Sequence, residues 1–198
     1  MARAVPFVGL TGGLAAGKST ALAALERLGA ATLSTDDVVR DLYASDEVRA
    51  AVVSRWGPEV APNGEVDRSA VAAKAFASDE ERRWLEELLW PRVGQRVWDW
   101  RAQVSAGTPP PAAAVVETPL LFEAGMEDIY DATVAVVAPE EIRAARAADR
   151  GHAAVDERAA RQLPQEEKAR RATYTVENSG SVEELEARLS EVLSELQR

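Results

Sequence analysis

Gly12-Gly13-Leu14-Ala15-Ala16-Gly17-Lys18-Ser19 satisfies the pattern G-x-x-x-x-G-K-[ST]. The chemistry of that pattern is anion capture, because successive backbone N–H groups converge on a phosphate at the positive end of a helix. Gly12 and Gly17 let the chain turn tightly, Lys18 is placed to reach the β- and γ-phosphates, and the Ser19 hydroxyl can ligate Mg²⁺. A glycine-rich turn can match by chance, so the flanking elements decide. Here an apolar run over 6–11 precedes the loop and a helical pattern follows it, which is the context the function needs.

Three other groups could join a phosphate. Asp36 falls where a second strand hands over to a helix. There a carboxylate could take a hydroxyl proton, hold Mg²⁺ through water, or simply cap the helix. Arg143, Arg146 and Arg150 follow one another at spacings of three and four, so they share one helical face. That face could close over a transferring phosphoryl group, or it could be a solvated face paired with Glu140 and Asp149. Glu117 ends an apolar strand where a Walker B segment has its acid, usually Asp. His152 is the sole histidine, and no zinc-type cluster or Ser–His or Cys–His pairing exists.

The elements that must position these groups follow from periodicity and punctuation. Strands are expected over 6–11, 31–33, 113–117, 132–138 and 174–177, and helices over 18–28, 66–76, 78–104, from 139, and after Ser181. Ser78 with Glu81 and Ser181 with Glu184 have capping-box spacing. Trp84, Leu88, Trp90, Val93, Val97 and Trp100 form an apolar stripe expected to be core, although an exposed Trp could hold part of a ligand. The layout is an α/β core of five strands, with a helical insert at about residues 44–108.

Composition narrows the partners. A formal charge of −10 argues against a nucleic-acid binder, which presents a basic face. No apolar run approaches the roughly 20 residues of a membrane helix. The chain has no cysteine, hence no disulfide framework, and its first residues run straight into a strand without room for a signal peptide. These features suit a cytoplasmic protein, and no obligatory protein partner is evident.

In order, the pieces resemble the dephospho-CoA kinase family. Residues 8–20 are similar to its GLTGGIGSGKST, and Leu33-Ser34-Thr35-Asp36 followed by Arg40 to its I-D-A-D segment. Gly64-Glu65-Val66-Asp67-Arg68 resembles G-x-L-D-R, and Leu85-Glu86 with Pro91 resembles L-E-x-I-x-H-P. Pro119-Leu120-Leu121-Phe122-Glu123 is the family's PLLFE unchanged. Arg146, Arg150, Gln162, Lys168 and Asn178-Ser179-Gly180 echo R-x-x-x-R…Q…K…N-x-G.

The resemblance implies a three-layer P-loop kinase, with a parallel sheet in the order 2-3-1-4-5. It implies ATP and Mg²⁺ as cofactors and dephospho-CoA as the small-molecule substrate. Gly12, Gly13, Ala15, Ala16, Gly17, Lys18, Ser19, Thr20 and Asn178 would hold ATP, and Ser19 the metal. Asp36 would be the base for the ribose 3′-hydroxyl, with Arg40, Arg68, Pro119 and Leu120 at the substrate. Arg146 and Arg150 would act from a lid at about residues 143–165. Departures from the pattern include Ser34 for Asp, Trp90 for His, Thr173 for Asp and Arg143 for Gln. Another small-molecule kinase on this scaffold, or a nucleotide- or CoA-binding regulator, are the competing expectations. A GTPase would need N-K-x-D, which is absent.

Overall fold

The structure, a computed structural model, describes residues 4–148 and 162–198, so Asp149, Arg150 and His152 lie outside the described residues. The chain divides into two compact units, residues 1–34 with 101–198 and residues 35–100.

The first unit holds β1 (Phe7–Gly12), α1 (Lys18–Arg27), β2 (Ala31–Ser34), β3 (Ala114–Glu117) and β4 (Ala132–Val137). α6 (Glu140–Ala148), α7 (Gln165–Arg171), β5 (Tyr174–Glu177) and α8 (Val182–Leu196) complete it. The strands form one parallel sheet in the order β2-β3-β1-β4-β5, as expected. Every residue of β1 and β3 is buried, which explains why these strands read as unbroken apolar runs: a parallel sheet is covered on both faces.

Side chains alternate between the faces. Val8, Leu10, Val115, Val134, Val136 and Val176 pack against Ala21, Ala24 and Leu25 of α1 and Leu185, Leu189 and Leu193 of α8. Toward the opposite face, Phe7 meets Tyr130 at a 4.8 Å ring separation, and the Arg101 guanidinium lies 4.2 Å from the Phe7 ring centre. Gly9 leaves the space this packing needs. A Cβ there would stand 2.5 Å from Leu121 Cδ1 and 2.7 Å from the Tyr130 ring. The helix α8 opens with a complete Ser181–Glu184 capping box, as its spacing predicts. The helix α7 has no counterpart among the expected elements.

The second unit contains α2 (Thr35–Ala44), α3 (Asp46–Trp56), α4 (Arg68–Ala75) and α5 (Asp79–Ser105), the last continuing beyond Trp100 into the first unit's residues. Ser45 caps α3 and Asp67 caps α4, which sets the start of α4 at Arg68 rather than at residue 66. Two expectations are corrected here. Ser78 accepts a hydrogen bond from the Glu81 N–H, but the Glu81 carboxylate does not close a capping box. It accepts from Trp56 Nε1 at 2.6 Å and from Arg55 at 2.8 and 3.0 Å. Trp90 is also not core: it is 57 % exposed, while Leu89 and Val97 are buried. Two residues from Leu88 is roughly 200° around a helix, so the indole turns away from the stripe. Trp84 is half-buried and stands edge-on to Trp56 at 4.9 Å.

Gly9→Ala is expected to lower stability by about 1–3 kcal/mol, because the added methyl displaces Leu121 and Tyr130. Urea denaturation should show a lower midpoint with an unchanged slope.

Candidate active site

The phosphate loop spans the gap between β1 and α1. Gly12 at φ 154° has only 2.3 Å between an added Cβ and the Val136 carbonyl oxygen, and Gly17 at φ 95° occupies the N-cap of α1. Ala15 takes the left-handed turn at φ 56°, although it stands where the family pattern quoted above has glycine. No side chain caps α1, in contrast to α3, α4 and α8, and no acid sits in its first turn. An external anion is the natural cap for such an end. Lys18 Nζ donates to the carbonyls of Gly12 (3.2 Å) and Gly13 (3.1 Å), folding its stem back along the loop. Ser19 is exposed, and Thr20 is half-buried, in the first turn of α1.

Residues distant in sequence hold this loop. Arg146 Nη1 donates to the Ala16 carbonyl at 3.3 Å, and Asn178 Nδ2 donates to the same oxygen at 2.9 Å. Arg143 pairs with Glu140, as a solvated face would have it, yet its guanidinium also stands 3.2 Å from where a Gly13 Cβ would be. Both described arginines of the helical face therefore lie against the loop; Arg150 is outside the described residues. Gly13, Leu14, Ala15, Arg143, Gln162 and Gln165 contribute to a cavity of about 330 Å³ beside it. Arg143 Nε and Gln162 Oε1 are buried and lack hydrogen-bond partners among the described residues.

The PLLFE segment forms a hydrogen-bonded turn beyond β3. Thr118 N–H donates to the Leu10 carbonyl at 2.9 Å, and Leu121 and Phe122 are buried. Pro119 and Leu120 are half-buried, and the Pro119 carbonyl accepts from Lys168 Nζ at 2.6 Å and from Thr11 Oγ1 at 3.4 Å. Lys168 is fully buried and pairs with Glu123 at 3.0 Å, while the same Glu123 oxygen accepts from the Leu163 N–H at 2.7 Å. Burial holds the Lys168 ammonium below the ordinary lysine range, and Glu123 opposes that shift. Gln165 exchanges two hydrogen bonds with the backbone of Ala138. Neither Lys168 nor Gln165 has a structural role legible from spacing.

Within the second unit, Asp36 is exposed in the first turn of α2, which begins directly at Thr35. It is therefore not the residue preceding the helix. Arg40, one turn on, is exposed and paired with Asp37 at 2.6 Å. Arg68 is exposed as the first residue of α4. In the first unit Ser34 ends β2 level with Glu117, which is in turn level with Leu10, so β2 and β3 finish at the edge where β1 enters the loop.

A family model described as dephospho-CoA kinase matches residues 6–184. The chain belongs to the dephospho-CoA kinase family. Membership makes it a phosphotransferase with a hydroxyl acceptor. It is 39 % identical to a dephospho-CoA kinase of Anaeromyxobacter dehalogenans over 96 % of this chain and 91 % of that one. With a dephospho-CoA kinase of Moorella thermoacetica it shares 37 % identity over 97 % and 92 % of the two chains. A Thermus thermophilus protein of known crystal structure superposes with a TM-score of 0.79 at 34 % identity, covering 98 % of this chain and 99 % of that one. A dephospho-CoA kinase from Campylobacter jejuni, 21 % identical with a TM-score of 0.62 and 96 % coverage of both chains, shares the fold.

Of the departures from the dephospho-CoA kinase pattern, Thr173 has a structural role. Its hydroxyl accepts from the Thr133 N–H and its N–H donates to the Thr133 hydroxyl, each at 3.0 Å. Lys168→Met is expected to destabilise the protein by about 3–5 kcal/mol, because Glu123 is left buried without its partner. Combining it with Glu123→Gln should recover a substantial part of the loss. Thermal melts of the three variants check the coupling.

Proposed function

We propose that this chain transfers the γ-phosphoryl group of ATP to the ribose 3′-hydroxyl of dephospho-CoA, producing coenzyme A. The observation that carries the reading is the complete phosphate loop on the uncapped N-terminus of α1, in a chain whose family match runs over residues 6–184. The loop amides and Lys18 cradle the β- and γ-phosphates, and the helix end favours their negative charge. Asp36 accepts the proton of the attacking hydroxyl. Arg146, already against the loop, stabilises charge on the transferring group.

Mg²⁺ fits the donors available. No cluster of three or more acids or histidines exists among the described residues. The Ser19 hydroxyl and the Glu117 carboxylate at the end of β3 remain, and Mg²⁺ is commonly held by one or two protein oxygens together with substrate phosphates. When bound, the ion would offset negative charge on the β- and γ-oxygens. Arg40 and Arg68 are assigned to the anionic groups of dephospho-CoA, and Pro119 and Leu120 to contact with the acceptor. We assign the helical stretch at about 44–108 to acceptor binding. The stretch at about 143–165, of which 149–161 lie outside the described residues, is assigned to covering the phosphates.

Incubating the protein with Mg-ATP and dephospho-CoA should yield coenzyme A by mass spectrometry. Asp36→Asn should cut kcat by about 100-fold or more while ATP affinity stays near normal; full turnover in that variant would sink the base assignment. Lys18→Ala should abolish transfer, and a near-normal rate would overturn the donor-site reading.

A further inference from the structure

Asn178 follows directly after β5, is 4 % exposed, and is held by its own N–H, which donates to the Val137 carbonyl at 2.8 Å. Its side-chain amide points into the phosphate loop and donates to the Ala16 carbonyl, where Arg146 also donates. That oxygen belongs to the Ala16–Gly17 peptide, and the only cis bond among the described residues is Thr108–Pro109. In a trans peptide the C=O and N–H point in opposite directions. Fixing the Ala16 oxygen toward Asn178 and Arg146 therefore fixes the Gly17 N–H away from them.

The close approach also explains why residue 17 has no side chain. A Cβ at Gly17 would stand 2.0 Å from Asn178 Nδ2 and 3.4 Å from Arg146 Nη1. The space a side chain would fill is the space through which these donors reach the peptide.

We propose that Asn178 is a positioning residue: it sets the plane of the Ala16–Gly17 peptide and so aims the Gly17 N–H at the nucleotide's phosphates, without touching the base. The proposal rests on the reading of the loop as the ATP site and refines the role of Asn178 there. It predicts that losing the amide weakens every ligand that uses the phosphate cradle by one common factor, whatever base it carries. A residue that reads adenine would weaken ADP and leave inorganic pyrophosphate untouched. A residue that only stabilises the fold would weaken the acceptor as well.

Calorimetric titration of Asn178→Ala and Asn178→Leu with ADP, GDP, inorganic pyrophosphate and dephospho-CoA separates these outcomes. Leu approximates the shape of Asn without a donor or a charge, and keeps the test available if the Ala variant does not fold. The expected result is an about fivefold loss for ADP, GDP and pyrophosphate alike, with dephospho-CoA binding unchanged. Unchanged pyrophosphate affinity in a folded variant overturns the proposal, as does an equal loss for dephospho-CoA. Wild-type protein that binds ADP and pyrophosphate but makes no coenzyme A would sink the functional reading and leave this one standing.

Discussion

The first turn of an α-helix leaves its N–H groups without acceptors in the helix itself. In α1 no side chain supplies one, and the preceding loop bends through Gly12, Ala15 and Gly17 so that its own amides add to that end. Such a concentration of donors is stable only if the backbone around it is held from outside. The sheet supplies the first support, since β1 is buried along its whole length and paired on both sides. The carbonyl contacts of Lys18, Arg146 and Asn178 supply the second. Their donors come from α1, α6 and the end of β5, so the loop's shape depends on most of the first unit being assembled.

The turn after β3 depends on a different interaction. Lys168, Glu123, the Pro119 carbonyl and the Leu163 N–H form a buried polar knot. A buried ion pair is rarely a net gain over apolar packing, but it is intolerant of losing one member. Its effect here is to define one arrangement: PLLFE is tied to the residues that lead into α7. Gln165 then ties the start of α7 to Ala138 at the end of β4. The walls of the cavity beside Gly13 are set by these links rather than by a continuous apolar core.

The second unit carries Asp36, Arg40 and Arg68, all exposed. Their surroundings are shaped by α2, α3 and α4 packed around Val48, Val52, Val60 and Val71. Glu81 shows how that packing overrides a local preference. As a capping-box acid it could have satisfied its own helix, and instead it accepts from Trp56 and Arg55, which fixes α5 against α3. The indole N–H buried there needs an acceptor, so the tertiary contact outweighs the local one.

Several features follow from the sequence by itself. Apolar runs placed β1, β3 and β4, because a strand covered on both faces must be largely apolar, while the half-buried edge strands β2 and β5 are shorter and more polar. The loop pattern located the donor site, because its chemistry is made by backbone and adjacent residues. The Ser181–Glu184 box located the start of α8 for the same local reason. The ordered motifs named the family. Tertiary structure alone decided the rest. The resemblance assigned Arg146 and Asn178 to the nucleotide, but only the fold brings their donors to one carbonyl more than a hundred residues away in sequence. Lys168 is only a motif position in the sequence, and its burial against Glu123 is decided by the turn after β3; Trp90 reads as core until the helix phase turns it outward. Spacing along the chain encodes periodicity and local caps; which distant atoms share a hydrogen bond is set by how the sheet and its helices pack.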